Sequence, residues 1–274
     1  MEYPARVLIT GSFPEEAIEM VHEDAPALSP EVTAKVNELW GAELKQNPHL
    51  FSGPMLVARA LSRPPGRIRL HCMVSEYKNF MGTTHEDVAP MLPDGQLHRA
   101  IGFLAATITS DGYVMLGVRS PKIDWPTLRH VVPAGRLTPA QEHPYKGIRD
   151  EFQSELGIGA ADIVSLECIG IVADMTWRRL NYEFVFFAQT RLTFRQVIER
   201  AKTARSGTEH VQLEPFPASA DFMNDLLMSD PDGWVPTGFA GLALCGYNRF
   251  DIKSFPWWIP AHRTYAEHMG RRLL

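Results

Sequence analysis

Glu151 and Glu155 stand four residues apart in the run Glu151-Phe152-Gln153-Ser154-Glu155-Leu156-Gly157-Ile158. On a helix that spacing lays both carboxylates on one face. Two like charges so placed cost an isolated helix about 0.2–0.5 kcal/mol, so the pair makes chemical sense where a divalent cation lies between them. The chemistry it points to is metal-assisted attack of water on a phosphorus centre. The alternative is a solvated helix face.

Other residue types suit the same chemistry. Arg119 ends an apolar strand just before a loop, where its guanidinium could hold a diphosphate through paired donors or simply face solvent. Glu183 lies in the otherwise apolar run 182–187, where an unpaired carboxylate is costly to bury. It therefore points outward, or serves a cation, a proton transfer or substrate hydroxyls. Tyr77 and Phe80 could stack on a flat base or fill the core. For the proton acceptor, Glu142, Glu151, Glu183 and Glu209 all stay open. The ten histidines show no paired-ligand spacing, leaving His85, His130 and His210 as bare candidates. Trp125, Trp177, Trp257 and Trp258 could line an apolar site or pack in a core.

The elements that must position these groups are legible from periodicity and turn chemistry. Ile148, Phe152 and Leu156 form an apolar stripe at i, i+4 and i+8, apart from Glu151 and Glu155. Pro144 suits a first helical position and Gly157 a left-handed C-cap, so the spacing predicts a helix between them. Upstream, 130–135 reads as a short strand entering a turn. A hairpin is expected over 101–109 and 113–119, turned by Ser110-Asp111-Gly112. N-terminal strands are expected at 5–10, 55–61 and 68–74, with a helix starting at Ser29-Pro30. Further strands read at 163–173, 182–190 and near 210–213, with helices at 193–204, 219–228 and 237–247. Segment 255–260 looks anchored, followed by a terminal helix over 263–274. The pattern gives an α/β (α+β) chain divided into a mixed N-terminal domain, 1–98, and a larger domain, 99–274.

With these residues in place, the stretch 135–158 resembles the signature of Nudix hydrolases, G-x5-E-x7-R-E-U-x-E-E-x-G-U, where U is aliphatic. Glu151 matches the Glu of the Arg-Glu pair, Glu155 the second Glu of the later pair, and Gly157-Ile158 the close. Glu142 matches the first Glu. Gly135 comes one residue early, Asp150 replaces the Arg with Arg149 beside it, and Ser154 replaces the first Glu of the pair. The fragments Leu39-Trp40-Gly41-Ala42-Glu43-Leu44-Lys45-Gln46-Asn47-Pro48-His49-Leu50-Phe51-Ser52-Gly53-Pro54, Tyr77-Lys78-Asn79-Phe80-Met81-Gly82-Thr83, Val132-Pro133-Ala134-Gly135 and Gly246-Tyr247-Asn248-Arg249 are together similar to the UDP-sugar diphosphatase subgroup.

The resemblance implies a Nudix-type α/β/α sandwich with a mixed sheet plus an N-terminal appendage. It further implies Mg2+, or Mn2+, held by Glu151 and Glu155; the residues themselves offer Tyr77, Arg119 and Glu183 as the substrate-binding candidates. The implied reaction takes a UDP-hexose to UMP and sugar 1-phosphate. Alternatives are ADP-ribose, a prenyl diphosphate, or a nucleotide-binding protein without turnover.

Composition bounds these readings. The chain has 274 residues, 45% hydrophobic and 22% charged, enough for a sizeable core. A net charge of −5 gives no basic field for nucleic acid, whereas a small anionic diphosphate with a cation fits. Cys72, Cys168 and Cys245 are isolated, so a disulfide framework or zinc ribbon is not expected. No apolar run suits a bilayer and Met1-Glu2-Tyr3-Pro4 lacks a basic leader, which leads us to expect a cytoplasmic protein without a membrane anchor.

Overall fold

The structure, a computed structural model, describes residues 5–121, 125–175, 181–229 and 233–252. Its elements follow in the order β1 (Ala5–Phe13), β2 (Ile18–His22), α1 (Pro30–Gln46), β3 (Pro54–Ser62), β4 (Ile68–Glu76), α2 (Tyr77–Thr83), β5 (Arg99–Ile108), β6 (Tyr113–Arg119), β7 (Arg129–Val131) and β8 (Ala134–Arg136). Then come α3 (Pro144–Leu156), β9 (Ile163–Asp174), β10 (Tyr182–Thr190), α4 (Phe194–Ala201), β11 (His210–Pro217), α5 (Ala220–Ser229) and α6 (Pro236–Arg249). Segments 255–260 and 263–274, with Trp177, Trp257 and Trp258, lie outside the described residues.

The strands form one mixed sheet whose main path runs β1-β9-β10-β5-β3-β4-β2. A branch leads from β5 through β6 to β7 and β11, and β8 pairs with β5. Most neighbours are antiparallel; β10 with β5 and β2 with β4 are parallel. The hydrogen-bond ladder continues across residue 98, because β1 pairs with β9 and β3 with β5.

Alternation along β5 explains the layers. Phe103 and Ala105 join the core under α3, with Ile148, Phe152 and Leu156. Leu104 and Ala106 join the opposite core, with Phe239, Leu242 and Leu244 of α6. Side chains one residue apart on a strand point to opposite faces, so two helices cover the two faces of one central strand. This is a mixed α/β sandwich, as expected.

Several elements show the local cause expected of them. Ser29 caps α1 by accepting from the Val32 N–H at 3.2 Å, with Pro30 at the first helical position. Helix α3 starts at Pro144 and ends at Gly157, whose φ of 63° is left-handed. The 110–112 turn joins β5 to β6, where Ile108 lies opposite Val114. Two elements go beyond the periodicity reading. Strand β2 is a short parallel edge strand, and α2 is a seven-residue helix carrying Tyr77 and Phe80. Among the described residues no helix is long and apolar enough to cross a membrane.

The close approach of α3 to the sheet depends on two glycines around one ring. A Cβ at Gly147 would stand 2.4 Å from Phe103 Cε1, and one at Gly135 would stand 3.0 Å from Phe103 Cε2. Both are at or below the closest separations real carbon atoms adopt, so Phe103 fits because neither position carries a side chain.

Away from the helix, buried His98 accepts or donates at Nδ1 to Ser75 Oγ over 2.6 Å. Burial holds its pKa down to about 4, against an ordinary value of 6.5. The unfolded chain therefore binds a proton near pH 6.5 that the folded chain refuses until about pH 4. Stability from this group is complete above pH 6.5 and is lost as pH falls through that window. We expect urea unfolding to show wild type losing on the order of 1–2 kcal/mol more than His98→Asn between pH 7 and pH 5. Parallel pH profiles for the two proteins would refute the assignment.

Candidate active site

A cleft of about 570 Å³ is lined by α2, the β6 end, β8 with α3 and the facing ends of β9 and β10, together with the segment after α1, the turn before β11 and the start of α6. Four of the five residues expected in a site line it, namely Tyr77, Arg119, Glu151 and Glu183. Glu155 lies beneath it, only 2% exposed, rather than on an open helix face. The i, i+4 spacing is as expected, but β8 and β11 cover that part of α3.

Glu155 is held from two sides. The Ala134 N–H donates to its Oε1 at 3.1 Å, and His210 Nε2 lies 3.0 Å from its Oε2. Burial and the Glu151 charge push its pKa up to about 8. Burial also lowers His210 to about 4, so the imidazole is neutral at pH 7. Its Nδ1 is buried without a hydrogen-bond partner. Glu151 faces the cleft next to Gly135, and Ser154 Oγ donates a short hydrogen bond to its Oε2. Burial raises Glu151 despite that bond. Glu209, at the start of β11, also lines the cleft and is pushed to about 7 by burial and by the charges of Glu155 and Glu151.

Burial thus raises all three carboxylates in a half-buried corner; the Glu151 charge adds to Glu155, the Glu151 and Glu155 charges add to Glu209, and Arg119 is close enough to favour ionisation of both Glu155 and Glu209. Such a donor set suits a divalent cation, which would neutralise the repulsion. Among the described residues no group of three or more His, Cys, Asp or Glu side chains is placed to hold a metal ion, so a cation here would rest on fewer protein ligands. Mg2+ bound by one or two carboxylates normally completes its shell with water and substrate phosphate, which this open corner allows.

The far end of the cleft has different chemistry. Burial and the Asp174 charge raise Glu183 to about 7, opposed by Arg136 and by hydrogen bonds from Thr237 and Asn181. The Arg136 guanidinium lies 5.1 Å from the centre of the Tyr77 ring and 5.6 Å from that of Phe80. Tyr77 lines the cleft, while Phe80 is fully buried and belongs to the core. Trp125 also lines the cleft.

Other candidates fall elsewhere. Glu142 is exposed on a left-handed turn, φ 62°, and is not part of the cleft wall. Asp150 faces Lys146 at 3.9 Å on the outer side of α3, and Arg149 pairs with Glu15 at 2.7 Å. His85 lies near Asp87, whereas His130 is buried against the cleft with Nδ1 on the Val131 carbonyl. Sequence reasoning missed Arg136, Asp174, Asn181 and Thr237. Strand register brings them together, and no local motif signals it.

No family model matches the chain, and no curated protein matches it. Some solved structures are similar to it at low scores. An ADP compounds hydrolase is 15% identical over 81% of this chain and 98% of its own, with a TM-score of 0.40. A NUDIX hydrolase from Nitrosomonas europaea is 14% identical over 57% of this chain and 97% of its own, at 0.39. The NUDIX domain of Shewanella oneidensis NrtR, solved with ADP ribose, is 14% identical over 69% and 97%, at 0.35. The likeness is to Nudix proteins. At these scores it assigns no activity to this chain.

The acidic corner makes its own prediction. Because Glu155 is raised to about 8, its ionisation costs the folded state free energy at every pH above the ordinary carboxylate value of 4.5. Glu155→Gln keeps the shape and removes that cost, with His210 free to switch tautomer. We expect the variant to be more stable than wild type by on the order of 1 kcal/mol or more at pH 8 in EDTA, an advantage that shrinks when Mg2+ is added. Equal urea midpoints in EDTA would show that Glu155 carries no such strain.

Proposed function

We propose that this protein is a divalent-metal-dependent hydrolase of a diphosphate linkage, acting on a nucleoside diphosphate joined to a second group, with a UDP-hexose as the first choice of substrate. The observation that carries this reading is the corner where Glu151 and Glu209 line the cleft beside Arg119 with Glu155 directly beneath, all three carboxylates raised first by burial. The order of motif fragments along the sequence supports the UDP-hexose choice, and the cleft is roomy enough for such a molecule.

Glu151 and Glu155 would hold Mg2+, with Mn2+ as the alternative. When bound, the ion supplies charge neutralisation on the phosphoryl oxygens and acidifies a coordinated water. The chain's own groups do the rest. Arg119 orients the diphosphate through its paired donors. Ser154 fixes one oxygen of Glu151, and His210 with the Ala134 N–H fixes Glu155. Glu209, near neutrality in pKa and facing the cleft, accepts the proton of the attacking water. The water oxygen bonds to one phosphorus, the bond from that phosphorus to the bridging oxygen breaks, and UMP and hexose 1-phosphate leave. The sugar C1–O bond stays intact, unlike the outcome of a glycosidase.

The deciding experiment incubates the Mg2+-loaded protein with UDP-hexoses, ADP-ribose and prenyl diphosphates in 18O-labelled water, with product mass spectrometry. We expect UMP and hexose 1-phosphate, with label on one phosphate, and a loss of about 10^2-fold or more in turnover for Glu151→Gln without loss of fold. UDP plus free hexose, or no turnover of any diphosphate by folded, metal-loaded protein, overturns the proposal.

A further inference from the structure

The end of the cleft away from the acidic corner carries an acceptor set that the hydrolytic chemistry does not use. Asn181 and Glu183 are separated by one residue along the extended chain leading into β10, so their side chains leave the same face. Asp174 ends the neighbouring antiparallel strand and its N–H donates to the Asn181 carbonyl at 3.1 Å, which places it across from Asn181 on that face. All three residues line the cleft. Asp174 is 3% exposed and Asn181 6%.

The hydrogen bonding within this group is uneven. Glu183 accepts from Asn181 and from Thr237, which uses the Asn181 amide nitrogen. The other end of that amide, Oδ1, is buried and has no partner. A buried acceptor left unmade costs about 1–3 kcal/mol, and native proteins rarely leave one without a reason. Here the orphan oxygen stands beside two carboxylates at the wall of an open cleft.

We propose that Asp174, Asn181 and Glu183 form a subsite for a sugar, their oxygens accepting hydrogen bonds from the vicinal hydroxyls of the group joined to the diphosphate. A polyol offers several O–H donors at neighbouring positions and no charge that Arg136 would oppose. Glu183, near neutrality in pKa, can accept from one hydroxyl and donate to another as its protonation changes. The assignment rests on the proposed diphosphate reading for the other half of the ligand. It makes the leaving sugar, not the base, the part that this end of the cleft selects.

The test measures binding separately from turnover. Wild type and Asn181→Leu are titrated in Mg2+ with the P–CH2–P analogues of UDP-hexose and of UDP, neither of which can be hydrolysed at that bridge. Circular dichroism and thermal unfolding confirm that the variant is folded, and Asn181→Asp, which keeps an acceptor, provides a second variant. We expect Asn181→Leu to weaken the UDP-hexose analogue at least tenfold and the UDP analogue less than twofold, with Asn181→Asp recovering part of the loss. In a series of analogues each lacking one hexose hydroxyl, one deletion, that of the hydroxyl facing Asn181, should cost wild type affinity and cost Asn181→Leu nothing further.

Equal losses for both analogues would place the nucleoside ribose here and overturn the assignment to the leaving sugar. Unchanged affinities, failure of wild type to bind the UDP-hexose analogue, or binding of Mg2+ alone that Asn181→Leu abolishes, would also overturn it. The two proposals fail differently. Sugar-dependent binding with no diphosphate hydrolysis removes the reaction and keeps the subsite; hydrolysis insensitive to Asn181→Leu and to the sugar removes the subsite and keeps the reaction.

Discussion

The ring of Phe103 determines how near α3 can lie to the central strand. It occupies space left by Gly135 on one side and Gly147 on the other, and a side chain at either would displace it. Everything in the acidic corner inherits that separation. Glu151 emerges against Gly135, and Glu155 reaches the Ala134 N–H because β8 and α3 are clamped onto the same ring. A site that gathers charge is held more precisely when its carboxylates hang on a helix seated by packing rather than on a loop.

That corner is electrostatically expensive. Glu151, Glu155 and Glu209 are each pushed up from the ordinary carboxylate value, and burial is the first cause for all three. At the other end of the cleft Glu183 does the same. The surrounding hydrophobic clusters under α3 and α6 hold these groups where solvent would otherwise relax them. Concentrated local strain supported by an ordinary core is the pattern expected of a site whose groups gain their partners from a ligand.

The sequence made the scaffold more legible than the chemistry built on it. The β5–β6 hairpin, α3 and its left-handed end at Gly157 follow from turn residues and apolar spacing, which are local signals. Arg119 could be picked out at a strand end, Glu151 by its spacing from Glu155, Glu183 as a carboxylate in an apolar run and Tyr77 as an aromatic ring near Phe80. Glu155 shows the limit: helical spacing gives its angular position but not what covers it, and β11 brings His210 onto it from 55 residues away. Helix α2 was hidden because its seven residues span too few turns for a stripe to show. Asp174 and Asn181 were hidden because their meeting is a property of strand register. Pairing across the sheet depends on the partner strand, and a single strand's pattern contains no statement of who that partner is.

The outer ladder brings Ala5 opposite Asp174, so the strand that borders β9 is synthesised long before its partner exists. Until β9 emerges, the apolar residues Val7, Ile9 and Phe13 have no strand beside them, and the backbone groups of β1 remain available to any other edge. Closing so long a loop costs chain entropy before any contact repays it, which slows assembly relative to a chain of local contacts. The protein's vulnerable period is therefore during synthesis and refolding. Its yield on expression should depend on temperature and chaperone supply more strongly than the stability of the finished sheet would indicate.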